Sequence, residues 1–249
     1  MLVLYFSGTG NSKYIAELLA RNMDAACRSI EENTDFEALL KAEETIAFCY
    51  PVYASRVPRI MREFAALYSE SLRGKKLIIF CTQMLFSGDG ARAFAGLFPR
   101  KHARVIYAEH FIMPNNICNM FITPLASDGK VKKMLEKAER KMQKVCGNIK
   151  NNVIRKRGFN TFSRVLGLPQ AVFLPQMEKL ARRSVRIADN CTQCGICVNL
   201  CPVNNFSLQD NAIVHNHNCI VCYRCINECP QKAITVFFHG KVKKQYKGI

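Results

Sequence analysis

The sequence predicts an α/β protein in two parts: a doubly wound parallel sheet of five strands, then a small α+β domain with a two-fold internal repeat. Over the first 150 residues, short β-branched or aromatic runs alternate with segments of helical periodicity, which is typical of a parallel sheet covered by helices on both faces. Eight of the thirteen cysteines then fall between positions 191 and 229. The predicted divisions are a first domain 1–148, a basic connector 149–183, a cysteine-rich domain 184–240 and a basic tail 241–249.

The five strands are expected where runs of apolar and β-branched residues meet turn-forming residues, in LVLYF, ACRSI, ETIAFCYPVY, KKLIIFCTQ and ARVIYAEHFIM. Helices are expected where apolar residues recur every three or four positions, in NSKYIAELLARNM, PRIMREFAALYSESL, DGARAFAGLF and GKVKKMLEKAERKMQKV. Pro58 stands at the start of the second of these helices, where a missing N–H costs little. The segment 149–183 breaks the alternation, since it is basic and contains two prolines, and it predicts a partly helical connector.

Composition and cysteine usage indicate the cellular setting. The longest apolar runs are far shorter than the roughly 20 residues that a membrane-spanning helix needs, and the chain opens as a strand without a charged segment before it. We therefore expect a cytoplasmic protein, in which thirteen cysteines indicate metal ligation more than disulfides. The isolated cysteines are expected to be small buried residues; they are Cys27, Cys49, Cys81, Cys118 and Cys146.

The first strand runs directly into a hydroxyl-rich turn, Ser7-Gly8-Thr9-Gly10-Asn11-Ser12. Such a turn before a helix N-terminus binds anions, because the first helical N–H groups are unpaired and the helix dipole favours negative charge there. The dinucleotide fingerprint requires a third glycine where Lys13 stands, and the glycine spacing does not match a P-loop. Neutral hydroxyl and N–H donors without lysine or metal are suited to a terminal monophosphate.

This turn resembles the phosphate loop of the flavodoxin family, and the resemblance spans roughly residues 1–148. It implies that Ser7 to Ser12 hold the 5′-phosphate of FMN, and that two loops at strand ends, 50–58 and 82–90, hold the flavin ring. The ring-binding residues that it implies are Pro51, Val52, Tyr53, Thr82, Gln83, Phe86, Gly88 and Asp89. Because the chain has no tryptophan, the aromatic residue stacked on the flavin would be Tyr53, Tyr50 or Phe86.

The clustered cysteines form two copies of the motif C-x2-C-x2-C-x3-C-P, each cysteine lying 28 residues from its counterpart. Three cysteines at this spacing converge on one cuboidal iron–sulfur cluster from a single tight loop, and the fourth ligand must come from elsewhere. Zinc is the alternative metal, although zinc sites generally use two C-x2-C pairs set well apart. The motifs therefore predict two 4Fe–4S clusters.

This repeat resembles the two-cluster ferredoxins of bacteria, in which the fourth cysteine of each motif serves the other cluster. The resemblance implies one ligand set of Cys191, Cys194, Cys197 and Cys229, and a second of Cys219, Cys222, Cys225 and Cys201. The whole chain is similar to flavodoxin–ferredoxin fusion proteins, which are common in anaerobic microbes.

The formal net charge of +17 is concentrated between Lys130 and Arg186, where sixteen Lys or Arg residues accompany three acids. An acidic redox partner docked on this segment, an ordinary solvated helical face and nucleic-acid binding all remain open. No nucleophile, carboxylate pair or hydrolase motif is evident. The sequence thus favours an electron-transfer module; the alternatives are a flavin-dependent reductase of a quinone or other small acceptor, and a redox-sensing binding protein.

Overall fold

A computed structural model describes residues 1–53, 56–86, 88–120 and 124–249. The first 156 residues contain one sheet with strands β1 (Leu2–Tyr5), β2 (Ala26–Ser29), β3 (Thr45–Pro51), β4 (Lys76–Gln83), β5 (Arg104–Ile112) and β6 (Arg155–Lys156). All neighbours are parallel, in the order β2-β1-β3-β4-β5-β6. The predicted doubly wound parallel sheet is confirmed, with one more strand than expected.

Six helices accompany the sheet: α1 (Asn11–Met23), α2 (Phe36–Ala42), α3 (Arg59–Leu67), α4 (Gly90–Ala95), α5 (Asp128–Lys150) and α6 (Thr161–Ser184). Helix α2 is not among the predicted elements. Its N-cap is Asp35, whose carboxylate accepts a hydrogen bond from the Ala38 N–H over 3.0 Å, and it buries Phe36 and Leu40 against the sheet. Seven residues with two buried positions are too short to show helical periodicity.

The sheet is buried on both faces, which explains the nearly continuous apolar runs of its strands. In β1, Leu2 and Leu4 contact the hydrophobic cluster that includes α3 and α4. Val3 points to the opposite face and packs in the cluster that includes Ile15 of α1 and Met142 of α5. The two clusters hold β1 between β2 and β3, and its carboxyl end leads into the glycine-rich turn.

The sixth strand is held in place by charge. Glu109 of β5 is buried, and its carboxylate lies 3.0 Å from Lys141, 3.5 Å from Arg155 and 3.4 Å from Arg157. Burial raises the pKa of Glu109, but the His110 N–H and Lys141 outweigh it, and the net pKa is lowered. The two residues of β6 lie inside the predicted connector, and the ion pairs of Arg155 and Arg157 with the buried Glu109 hold this segment beside β5; no apolar pattern marks it.

His110 is expected to make folding stability depend on pH. Burial lowers the pKa of His110 to about 4, and the nearby charges of Arg157 and Lys141 act in the same sense. The carboxylates of Glu109 and Asp89 raise this pKa, but by less. The unfolded chain, with a histidine pKa of about 6.5, takes up a proton at a higher pH than the folded chain does. Stability is therefore lost as pH falls from about 6.5 towards 4, and we expect a loss of about 2 kcal/mol between pH 7 and pH 5.

The measurement is the free energy of unfolding of the intact protein in denaturant at both pH values, without oxygen and followed by circular dichroism. His110→Gln is the matched variant, because glutamine cannot take up a proton in this range. Its stability is expected to fall less between the two pH values. Equal losses in parent and variant would contradict the role of His110.

The C-terminal part contains β7 (Arg186–Ile187), α7 (Ile196–Leu200), β8 (Phe206–Gln209), β9 (Ala212–His215), α8 (Arg224–Glu228) and β10 (Ile234–Thr235). Strand β7 pairs antiparallel with β10, and β8 pairs antiparallel with β9. Helices α7 and α8 lie 28 positions apart, and each is preceded by a residue in the left-handed conformation, Gly195 and Tyr223. The predicted α+β domain with an internal repeat is confirmed.

Two connecting segments contact both halves of the chain. Helix α6 continues through Pro169 and Pro175 and buries Ala181 in the C-terminal core. The segment predicted as a basic tail is packed: Tyr246 is buried, and the Gln245 amide donates to two carbonyl groups in and after α8. None of the helices in the described ranges has the length and hydropathy of a membrane span.

Candidate functional site

The turn between β1 and α1 lies at the carboxyl edge of the sheet and faces an open cavity. Gly10 adopts a left-handed φ of 98°, and its N–H donates to Ser7 Oγ over 3.1 Å. Helix α1 then begins at Asn11, and the N–H groups of its first turn have no acceptor inside the helix. Ser12 Oγ lies 2.7 Å from Thr82 Oγ1, which ties the turn to β4. The turn therefore offers unpaired donors and a helix N-terminus to an anion.

A cavity of about 380 Å³ lies beside this turn and is of a size typical of small-molecule sites. We call it the flavin cavity. Ten of the fourteen predicted cofactor-binding residues line it, namely Ser7, Gly8, Thr9, Asn11, Ser12, Pro51, Val52, Tyr53, Thr82 and Gln83. The carboxyl ends of β1, β3 and β4 bring them to one edge. Positions 54, 55 and 87 of the two predicted ring-binding loops lie outside the described residues.

The other four predicted residues do not line the flavin cavity. Gly10 shapes the turn, whereas Phe86 and Gly88 line a different cavity. Asp89 is fully buried beneath α6, where a Cβ built on Gly167 would come within 2.1 Å of its Oδ1. The structure therefore does not bring Phe86, Gly88 and Asp89 to the predicted ring site, because the chain turns away from that site after Met84.

Several cavity residues were missed by sequence reasoning. Those that follow β4 and β5 are Met84, Pro114, Asn115, Asn116, Ile117 and Met120. The end of β5 lies at the same edge as the other strand ends, so the strand pattern could have indicated them; Asn116 Nδ2 donates to Thr9 Oγ1 over 2.9 Å. The rest come from α6 and the C-terminal domain, and no local pattern indicates them: Met177, Glu178, Ile220, Val221, Tyr223, Phe237 and Phe238.

The eight repeated cysteines lie in two groups of four. One small cavity is lined by Cys191, Cys194, Cys197 and Cys229. Another is lined by Cys201, Cys219, Cys222 and Cys225. The fourth cysteine of each motif lies with the other motif, which is the arrangement that the predicted ligand sets require, and the ligand assignment itself stays a prediction. We call these cavities the first and second cluster sites.

A cubane cluster and a single ion require different spacings of the four sulfurs. Within the described residues, no three His, Cys, Asp or Glu side chains are close enough to hold one metal ion. A single zinc ion gathers four sulfurs at about 2.3 Å from the metal. A cubane cluster instead bonds one thiolate at each of four irons, which spreads the sulfurs more widely.

The surroundings of the sulfurs also suit thiolate ligands. The Asn205 N–H donates to Cys201 Sγ over 3.1 Å, and the Ala233 N–H donates to Cys229 Sγ over 3.4 Å. Hydrogen bonds of this kind tune the reduction potential of a cluster. Burial raises the pKa of the Cys222 thiol to about 12. A thiolate there requires a metal that displaces the proton, so cluster insertion and deprotonation are coupled.

Comparison with known families agrees with both sites. Residues 2–164 match the family model described as flavodoxin domain, which covers more than half of the chain. The chain belongs to the flavodoxin-domain family. Residues 175–234 match a second family model, described as 4Fe–4S dicluster domain. The protein is therefore a flavin and iron–sulfur redox protein, in which the flavodoxin domain binds FMN and the dicluster domain binds two 4Fe–4S clusters.

Solved structures similar to this chain include a flavodoxin from the domain Archaea, with 17% identity and a TM-score of 0.42, covering 60% of this chain and 97% of that one. Two-electron reduced flavodoxin of Megasphaera elsdenii has 21% identity and a TM-score of 0.39, covering 57% and 99%. General stress protein 14 of Treponema denticola, in complex with FMN, has 11% identity and a TM-score of 0.42, covering 59% and 96%. None of the curated proteins matches this chain.

The flavin cavity of the flavodoxin domain suits FMN. Two buried polar atoms in its wall, Tyr53 Oη and Gln83 Oε1, have no hydrogen-bond partner among the described residues. The polar edges of a flavin ring would supply such partners. Among the described lining residues, Glu178 alone is charged, and it pairs with Arg62 over 2.8 Å. The FMN phosphate would therefore be held by the neutral donors of the turn.

The three aromatic candidates for stacking on the flavin occupy different places. Tyr53 lines the flavin cavity. Tyr50 is fully buried in the core, where its hydroxyl donates to the Gly90 carbonyl over 3.1 Å. Phe86 lines a different cavity. Of the three, the structure brings only Tyr53 to the cavity of the flavodoxin domain.

The dicluster domain lies directly on the phosphate turn of the flavodoxin domain. A Cβ built on Gly8 would lie 2.3 Å from the Cys222 carbonyl oxygen, so only glycine allows the two backbones to approach this closely. On the other side of the turn, the Tyr246 hydroxyl donates to Asn11 Oδ1 over 2.7 Å. Asn227 of α8 donates from Nδ2 to the Asn116 carbonyl over 2.9 Å. The C-terminal domain therefore forms one wall of the flavin site.

Proposed function

We propose that this flavin and iron–sulfur protein carries electrons between its two 4Fe–4S clusters and its FMN. When bound, the clusters exchange single electrons and FMN takes up one or two, so the combination joins one-electron and two-electron chemistry. The protein's part is to position these centres, to exclude water and to set their electrostatic surroundings.

One observation carries this proposal: the flavin cavity and the second cluster site share a wall. Ile220, Val221 and Tyr223 line both of them. The two sites are separated by the thickness of one loop, which also carries Cys222, a predicted ligand. A loop that contacts both centres gives a short path through covalent bonds and packed side chains.

The three sites follow one another in space. The first cluster site shares Ile234 with the second cluster site and, among the described residues, shares none with the flavin cavity. The second cluster site thus lies between the first cluster site and the flavin. We infer that electrons pass along this order, in a direction set by the partners and their potentials.

Apolar side chains from the C-terminal half of the chain line part of the flavin cavity. Phe237 and Phe238 follow β10, and Met177 projects from α6; all three line the cavity on the side of the dicluster domain. The Phe237 N–H donates to Ser184 Oγ over 3.1 Å, which fixes the segment after β10 to the end of α6. A fixed apolar wall lowers the local dielectric and strengthens electrostatic interactions between protein and ligand.

We further infer that the protein works in the cytoplasm and docks an acidic redox partner on its basic connector. All thirteen cysteines are free, as a reducing compartment favours. Between positions 130 and 186, every Lys or Arg side chain except Lys141 and Arg182 is exposed. Such a surface attracts an acidic partner over a distance and orients it during the encounter.

The proposal is tested on protein purified without oxygen, with FMN, iron and acid-labile sulfide measured in one sample. We expect one FMN and about eight irons per chain. After rapid mixing with a limiting amount of reductant, flavin reduction is expected to accompany reoxidation of the clusters at a rate independent of protein concentration, because the centres exchange electrons within one molecule. Clusters and flavin that are reduced independently would contradict electron transfer between them, and rapid turnover of a quinone would favour the reductase hypothesis instead.

A further inference from the structure

A second cavity, of about 360 Å³, lies on the far side of Gln83 from the phosphate turn. It is formed by the segment after β4, the end of β5 and the chain from β6 to the start of α6. Gln83 lines both this cavity and the flavin cavity. A molecule bound here would therefore contact Gln83, a residue that also lines the flavin cavity.

The cavity is strongly cationic. Arg155, Lys156 and Arg157 line it, and the two arginine side chains remain 54% and 51% exposed. The carboxylate nearest to them, Glu109, is buried behind them and also binds Lys141. The cations thus outnumber the carboxylate. Of the other groups near this cavity, Asp89 is paired with Arg92, and burial lowers the pKa of His110 to about 4, so that the imidazole is neutral at pH 7.

The start of α6 adds to this positive field. Asn160 is its N-cap, and the Asn160 Oδ1 accepts a hydrogen bond from the Ser163 N–H over 2.8 Å. Both residues line the cavity, and Ser163 is buried. Because α6 is 24 residues long, the partial positive charge at its N-terminus is fully developed, and it favours an anion in the cavity.

Gln83 is the residue that the two cavities share. Its side chain is more than nine-tenths buried; Nε2 donates to the Leu85 carbonyl over 3.1 Å, whereas Oε1 has no hydrogen-bond partner among the described residues. An unpaired buried amide oxygen is costly unless a donor satisfies it. An ionised oxyanion has no donor, so a donor for this oxygen is expected from the flavin cavity, and Gln83 connects the second cavity to the flavin by contact alone.

We propose that this cavity binds a small oxyanion, a carboxylate or a phosphate, next to the flavin. Arginine is suited to such a ligand, because its planar guanidinium bonds two oxygens of a carboxylate or phosphate at once. The site is distinct from the phosphate turn, which has neutral donors. The proposal does not depend on electron transfer between the clusters and the flavin, since it concerns binding alone.

The test uses the full-length protein with FMN and both clusters bound, with cofactor contents measured in the same sample. Inorganic phosphate and succinate are titrated separately at constant ionic strength, and binding is followed by calorimetry and by the flavin difference spectrum. We expect one saturable site per chain for at least one probe, with a change in the flavin spectrum because Gln83 contacts both cavities. Binding of phosphate alone or succinate alone identifies the source of the oxyanion, and either supports the site.

Two variants of Ser163 make the test specific. Ser163→Asp adds a negative charge to the cavity and removes no partner of Glu109; an acidic residue in the first helical turn is also compatible with α6. Ser163→Asn is the neutral control of nearly the same size. We expect oxyanion affinity to fall about tenfold or more in the aspartate variant and to change little in the asparagine variant. Absence of saturation in the parent, or equal affinity in both variants, would overturn the proposal.

Discussion

Replacing Arg224 with methionine is expected to weaken the contact between the dicluster domain and the phosphate turn by about 2–4 kcal/mol. The guanidinium makes a bidentate pair with Glu31, each hydrogen bond 2.8 Å long. It also donates to the Ser7, Gly8 and Leu200 carbonyls over 2.8, 3.2 and 3.0 Å. All five of its donors are used, and three carbonyls and one carboxylate would be left without this partner.

Hydrogen exchange measures this loss directly. Backbone amides at positions 7–13 and 220–224 are expected to exchange roughly 100-fold faster in Arg224→Met, because the contact opens more often. Arg224→Lys is expected to recover only part of the protection, since an ammonium group cannot bond both carboxylate oxygens in the same geometry. Iron content is measured on each sample, because Arg224 lies between two predicted ligands.

Two matched variants complete this experiment. Glu31→Gln removes the negative charge that pairs with Arg224 and leaves the cysteine motifs unchanged. Hydrogen exchange is expected to become faster in this variant, but less so than in Arg224→Met. Arg73→Met removes an exposed ion pair with Glu70, in which both side chains are more than 60% exposed, and no measurable change is expected because exposed pairs contribute little. Unchanged exchange in Arg224→Met would show that the contact does not depend on this side chain.

The second large effect is expected from the fourth cysteine of each motif. Cys229→Ala should empty the first cluster site and Cys201→Ala the second, although each residue belongs by sequence to the other motif. Each variant is expected to keep about four of about eight irons. The two should differ in function: loss of the cluster beside the flavin stops reduction of the flavin through the clusters, whereas loss of the first cluster leaves the second in contact with it.

The measurements are iron and sulfide content, and the rate of flavin reduction after mixing with a reductant in the absence of oxygen. Cys146→Ala serves as control, because Cys146 is a buried cysteine of α5 that lines neither cluster site. It is expected to retain every cofactor. If Cys229→Ala blocked flavin reduction and Cys201→Ala did not, both the proposed ligand sets and the order of the sites would be wrong.

Short-range patterns in the sequence predicted much of the sheet and its covering helices. Helix α1 begins and ends at the residues that its periodicity indicated, 11 and 23. The strand boundaries differ by a few residues at most. The prediction missed α2, which is short, and β6, which has two residues. Helix α2 is capped by the Asp35 carboxylate and β6 is held beside the buried Glu109 by ion pairs, and neither kind of contact leaves a periodic signal.

The residues of the flavin site also fall into a part that the sequence predicted and a part that it did not. Residues at the ends of β1, β3 and β4 were predictable, because parallel strands bring their carboxyl ends to one edge. Phe86, Gly88 and Asp89 were placed at that edge only by analogy, and the local path of the chain takes them away from it. The cavity wall formed by Val221 and Phe237 was not predictable, since those residues lie about 200 positions from the turn they cover.

The sequence by itself determined the parts of this protein: the flavodoxin-like sheet, the phosphate turn and the cysteine repeat. Each of them depends on residues that are close in sequence, where turn geometry and side-chain periodicity act directly. Only the tertiary structure decided how the parts meet. Gly8 lies against Cys222, Arg224 reaches the phosphate turn, and one loop borders both the flavin cavity and the second cluster site. Such contacts arise from the packing of two domains, and no spacing within either domain encodes them.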